Sequence, residues 1–193
     1  MQEFEDIYNE VVGILRDKLP THLTYHDIDH TIHVLEKAEM IGTHEGVGER
    51  HLYLIRIAAL FHDIGFIRSR EQHEAFGCQI AKRMLKKRHL LASEIRQIQG
   101  MIMATKLPQR PMTPYEAILA DADLEYIGTD DYAKVSSKLY EELKHYNPQM
   151  TEDEWINIQI RFLEEHRFHT PWCIQNRSAK KMEHLDNLKS KLK

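Results

Sequence analysis

Proline and glycine are scarce, at six and eight in 193 residues. A chain built of strands needs more turns than that supplies, so little or no sheet is expected. Cysteine is scarcer: Cys78 and Cys173 are the only two. They lie far apart and fit no metal-ligand spacing such as Cys-x-x-Cys, so two free thiols in a reducing cytoplasm are expected. No stretch approaches ~18 apolar residues, which argues against a transmembrane helix. The acidic start Met1-Gln2-Glu3-Phe4-Glu5-Asp6 lacks the positive charge and apolar run of a secretory signal. A basic surplus is missing too. Lys plus Arg total 26 against 30 Asp plus Glu, a formal net charge of -4, so no nucleic-acid partner and no membrane partner is expected.

What the chain has is helical periodicity and histidine, 13 of them. The length fits one domain, 1–193, with a real core. Apolar spacing is that of helices nearly throughout. It predicts helices over 3–18, 28–41 (stopped at Gly42), 50–64 (stopped at Gly65), 71–87 and 92–105, the last capped by Ser93. Pro108, Pro111 and Pro114 mark a loop over 106–114. Helices then follow over 114–127, 130–145, 151–166 and 171–190. Thr151 with Glu154 forms a capping-box pattern. The sum is an all-α fold of about seven to nine helices. The helix over 50–64 is apolar on most sides, so it is expected at the centre.

Four short segments concentrate the chemistry. Read as helix, Tyr25–Val34 places His26, His30 and His33 at i, i+4 and i+7, on one face. His62-Asp63 follows the apolar Ala58-Ala59-Leu60-Phe61, where a buried carboxylate is costly unless paired or metal-bound. Asp121 and Asp123 stand about 200° apart on a helix, so one faces any shared centre and the other does not. Imidazole nitrogen with carboxylate oxygen suits a divalent transition metal such as Mn, Fe or Zn. A metal with open positions makes water a nucleophile near neutral pH. The working expectation is a metal-dependent hydrolase.

The order His30, His62-Asp63-Ile64-Gly65, Ala122-Asp123-Leu124 resembles the HD-domain superfamily of metal-dependent phosphohydrolases, over roughly residues 22–127. The resemblance implies that His30, His62, Asp63 and Asp123 bind one divalent ion (Mn, Fe, Co, Ni, Mg or Zn). Asp121 and Asp27 would then support the ligands from behind. Tyr25-His26-Asp27-x-x-His30 is similar to the Tyr-His-Asn-x-x-His signature of the related cyclic-nucleotide phosphodiesterases, with Asp27 replacing Asn. That similarity implies that His26 protonates the leaving oxygen, and Asp63 or Asp123 would orient the attacking water. Binuclear members often carry a His-His or His-Thr pair where this chain has Met103-Ala104-Thr105-Lys106. One tightly held metal is therefore expected, leaving room for a second, weaker site. His73 and Lys106 are candidates for the phosphate, although a solvated lysine at a helix end also describes Lys106.

The implied activity is hydrolysis of a nucleotide or another small phosphate ester. Its rivals are an HD-fold di-iron oxygenase and a metal-binding regulatory module without turnover. The helices over 130–193 are expected to pack on the cleft or close it. Arg161, His166, His169, Arg177 and Lys181 lie there, and solvated faces account for most of them. Trp155 and Trp172 read as packing residues.

Overall fold

The computed structural model describes residues 2–192. It contains no strand among them and nine α-helices: α1 (Gln2–Lys18), α2 (Ile28–His44), α3 (Glu49–Phe61), α4 (His73–Leu85), α5 (Ala92–Ala104), α6 (Pro114–Leu124), α7 (Tyr132–Tyr146), α8 (Glu152–Glu165) and α9 (Pro171–Lys191). Single 3-10 turns at Ile64–Ile67 and Glu125–Gly128 follow α3 and α6. No described helix is long and apolar enough to cross a membrane. Both cysteines are free and buried.

The most apolar helix is the central one. In α3, Leu54, Ile55, Ile57, Ala58, Ala59, Leu60 and Phe61 are all buried. The helix packs against α1, α2, α4, α5 and α6. Each large aliphatic side chain buried this fully contributes about 1.5–3 kcal/mol. Because α2, α3 and α6 pack on one another, their C-terminal and N-terminal ends can bring distant polar residues to one place.

Local signals set most boundaries. Thr113 accepts from the Glu116 N–H and Pro114 occupies the first turn of α6, where its missing N–H costs nothing. The capping box of α8 is present, with Thr151 and Glu154 each accepting from the other's backbone N–H.

Elsewhere tertiary packing overrides the sequence signal. Gly42 lies inside α2 rather than ending it; a Cβ there would come within 2.8 Å of Leu52 Cδ1, so the glycine admits α3. The helix turns off near Gly46, which has φ 71°, a conformation that favours glycine. Ser93 is not the cap of α5. The helix starts at Ala92 as expected, with Leu91 in the cap position, and Glu94 accepts from the Leu91 N–H while pairing with Arg50 at 2.7 Å. His26 lies outside α2, whose N-cap is Asp27, so it does not share a helix face with His30 and His33.

Two residues expected on solvated faces are buried. Lys181 is 4% exposed and His166 8%. The Lys181 ammonium donates to the His166 backbone oxygen at 2.6 Å and lies over the Phe168 ring. Arg177 also has a partner, the buried carboxylate of Glu125.

Helix α3 stops at Phe61, three residues before the sequence suggests. Gly65 falls in the 3-10 turn that follows, where a Cβ would lie 1.8 Å from the His73 backbone oxygen. The 3-10 turn therefore sits directly against the start of α4. Gly65→Ala is expected to destabilise the fold by about 3 kcal/mol, the upper range for overpacking, as measured by chemical denaturation. Stability within about 0.5 kcal/mol of wild type would show that this contact relaxes freely.

Candidate metal centre

Four side chains from three regions meet just beyond the end of α3. His30 comes from the first turn of α2, His62 and Asp63 from the residues following α3, and Asp123 from the last turn of α6. His30, His62 and Asp123 offer one ligand atom each, all within 4.8 Å of one another. The two Nε2 atoms are 3.3 Å apart. Asp63 Oδ2 lies 3.1 Å from His62 Nε2 and 3.4 Å from His30 Nε2. Asp123 Oδ1 lies 3.2 Å from His30 Nε2 and 3.6 Å from His62 Nε2.

These spacings fit a cation. Ligand atoms bound at right angles about 2.1 Å from one ion stand about 3 Å apart. The orientation of His62 fits too: Nδ1 donates to the Ala59 oxygen at 2.7 Å, which leaves Nε2 as the ligating atom. Asp63 Oδ2 is buried with no hydrogen-bond partner among the described residues, which is costly for a carboxylate that holds nothing. The mixed nitrogen and oxygen donors suit Mn, Fe, Co, Ni or Zn.

Without a cation the set holds protons instead. Burial works against the His30 imidazolium, but Asp123 and Asp63 outweigh it and hold His30 at about 10. His62 is raised as well, burial being outweighed by the Asp63 charge. Burial alone would raise the Asp63 carboxyl; His62 and His30 instead hold it well below the usual range.

A cavity of about 430 Å³ opens beside this set, lined by Asp63, Asp123, His26, His73, Arg70 and Lys106 among others. His26 faces it from the loop before α2. Its Nδ1 is 2.6 Å from Glu142 Oε1, while Glu142 Oε2 accepts from the Tyr25 and His26 N–H groups. Burial of Glu142 favours its neutral form, but these donors prevail and lower it into the ionised state. An anionic Glu142 makes His26 Nδ1 the donor, so Nε2 is the nitrogen left for other work. The His26 and His73 rings stack on Phe66, with centroids 4.3 and 4.1 Å away. His73 Nδ1 lies 2.8 Å from the Arg70 oxygen, and Nε2 lies 3.6 Å from Asp63 Oδ1 and 3.5 Å from Glu74 Oε1. Lys106 is exposed at the end of α5.

The remaining acidic candidates do structural tasks. Asp27 caps α2, accepting from the His30 N–H at 2.7 Å, and meets Lys138 at 3.2 Å. That fixes the first turn carrying His30. Asp121 points away from Asp123, as the helical angle requires. It is fully buried and accepts from His169 N, Thr170 N and Thr170 Oγ1, anchoring the N-terminus of α9. His33 lies beside Glu125, at 4.0 Å, and faces away from this cavity.

Three groups in the cavity have no sequence signal. Glu142 lies 116 residues from His26 on a helix with no motif. Arg70 and Glu74 flank His73 without matching any pattern. Only the folded chain brings them to the metal set.

A model of the HD domain matches residues 27–125. Among solved structures, a crystal structure of a predicted HD superfamily hydrolase from an uncultured Thermotogales bacterium has a TM-score of 0.59 and 23% identity to this chain, over 96% of this chain and 92% of that one. At that identity the likeness concerns the fold. No curated protein matches the chain.

The proton-holding state has a measurable consequence. Raised histidines stabilise the metal-free fold fully below the unfolded value near 6.5, and that contribution is lost as pH rises through about 10. Metal ions must displace those protons, so apparent metal affinity rises with pH. The increase in Tm on adding Mn is expected to grow steadily from about pH 6 to pH 9, with proton release on binding seen by calorimetry. His62→Ala should lower bound metal per chain. A Tm increment that shrinks with pH, or unchanged stoichiometry in that variant, would contradict the ligand set.

Proposed function

Because this chain belongs to the HD-domain family, we propose that it is a metal-dependent phosphohydrolase acting on a small phosphate ester, nucleotides included. The observation that carries the reading is that His26 borders one cavity with Asp63 and Asp123, the carboxylates of the metal set, and with two cationic side chains, Arg70 and Lys106. A metal centre alone would serve binding or redox work. A positioned imidazole next to it supports hydrolysis.

The four ligand residues hold the cation. When bound, it supplies Lewis acidity toward water and toward a phosphoryl oxygen. Asp63 or Asp123 orients the attacking water in line with the phosphorus. Arg70 and Lys106 offset charge on the remaining phosphoryl oxygens. As the new P–O bond forms and the ester P–O bond breaks, His26 Nε2 gives its proton to the departing oxygen. Glu142 positions the ring through Nδ1. His73 Nε2, turned toward Asp63 and Glu74, supports a second and weaker cation at the edge of the set. Metal analysis together with oxygen consumption separates this reading from a di-iron oxygenase.

The test is phosphate release from a panel of esters with Mn, Mg, Fe, Co, Ni and Zn in turn. His26→Ala is expected to retain metal and to lose about 100-fold or more in kcat on alkyl esters. The loss should be much smaller on nitrophenyl esters, whose leaving group needs no proton. Equal losses on both would remove the proton-donor role. Glu142→Gln should lower kcat about tenfold on alkyl esters and much less on nitrophenyl esters, because it frees the imidazole ring that the leaving oxygen needs. Equal losses on both ester types would leave Glu142 as a structural residue only. Lys106→Ala should raise KM several-fold with metal content intact; wild-type kinetics would take Lys106 out of the site.

A further inference from the structure

The cavity beside the metal set has a second wall, and it is apolar. Ile127 from the turn after α6, Leu139 and Leu143 from α7, and Trp155, Ile158 and Phe162 from α8 line it. Its polar groups are already engaged with one another. Gln159 Oε1 accepts from Tyr132 Oη at 2.7 Å and from Ser136 Oγ at 2.5 Å, and Gln159 Nε2 reaches only the Trp155 oxygen, at 3.5 Å. Glu142 is taken by Tyr25 and His26. The volume of about 430 Å³ is well beyond the roughly 150 Å³ that admits a benzene ring. A phosphoryl group at the metal set leaves most of it for the organic part of the substrate.

A nucleoside fits that wall poorly. Its base edge and ribose hydroxyls would give up water to face six apolar side chains and the few polar groups Tyr132, Ser136 and Gln159, which already pair with one another. An alkyl or aryl group gains from the same surface. The geometry points to a substrate that is the phosphate ester of an apolar alcohol, its alkyl or aryl group seated against α7 and α8 and its phosphate at the metal set. The assignment rests on the phosphohydrolase reading for its phosphate and on the cavity wall for its alcohol. In the reaction, water oxygen bonds to phosphorus, the ester P–O bond breaks, and the apolar alcohol leaves with the proton from His26.

The n-alkyl phosphates test this cleanly, because their leaving groups are nearly equal in acidity and differ in apolar length. With the metal-loaded full chain, kcat/KM is expected to rise about fourfold per added methylene from methyl to hexyl phosphate. Leu143→Trp, at a half-buried position lining the cavity, should cut the hexyl-to-methyl ratio at least tenfold. Metal stoichiometry and Tm of that variant are measured alongside to show that the fold is kept. A flat series, an unchanged ratio in the variant, or a nucleoside monophosphate turned over better than hexyl phosphate would overturn the assignment. If no ester releases phosphate, the hydrolase reading fails by itself. The wall is then tested with 1-hexanol, followed by Trp155 emission in a Trp172→Phe background. Saturable binding weakened by Leu143→Asp in that background retains the apolar assignment, and absence of saturation, or binding unchanged by Leu143→Asp, overturns it.

Discussion

Four acceptor atoms crowded within 3.6 Å neighbour distances are the constraint on which the rest of this structure depends. Two imidazole nitrogens and two carboxylate oxygens so close and so buried repel unless protons or a cation stand between them. The fold must hold them together against that repulsion, and it does so with rigid helix ends. Asp27 locks the first turn of α2, which carries His30. The Ala59 carbonyl fixes the His62 ring. Gly65 lets the chain turn sharply after Asp63 and pass against α4. None of these three residues is a ligand in itself, yet each removes a freedom that would let the set spread.

The all-α architecture and the approximate helix positions were legible because amphipathic periodicity is a local property, repeated in every turn. The central place of α3 was legible for the same reason: a helix apolar on most sides has nowhere else to go. Boundaries were less legible because neighbours decide them. Gly42 reads as a stop, yet a close helix crossing uses it. Ser93 reads as a cap, yet Leu91 holds that position and Glu94 serves it and Arg50 together. The phrase His-Asp-Ile-Gly was legible as chemistry, whereas the close pass of Gly65 against the His73 backbone is a contact that no pattern in residues 50–65 reveals.

Burial of charge was the hardest thing to read. Lys181 and Arg177 sit on a helix rich in polar residues, where solvent is the ordinary expectation. Both are instead engaged by groups far away in sequence, the His166 carbonyl and the Glu125 carboxylate. Asp121 is the same case with opposite sign. Its position two residues from Asp123 sends it to the other side of α6, where three donors from His169 and Thr170 receive it. The Asp-Ala-Asp spacing thus divides the work of one helix: one carboxylate faces the cation set, and the other ties α9 to the same helix end.

The location of His26 outside α2 has the widest consequence. A histidine within the helix would be held by that helix alone. In the loop before it, His26 is held by Glu142 through the ring and through two backbone amides, and by Phe66 on its face. Glu142 belongs to α7, the helix whose Leu139 and Leu143 form the apolar wall of the cavity. Packing an organic group against α7 therefore bears on the same element that orients the imidazole. Leu139, Glu142 and Leu143 lie within about one turn of α7, so the apolar wall and the partner of the imidazole belong to one rigid element. The helix that would sense the alcohol also holds the residue that would protonate it.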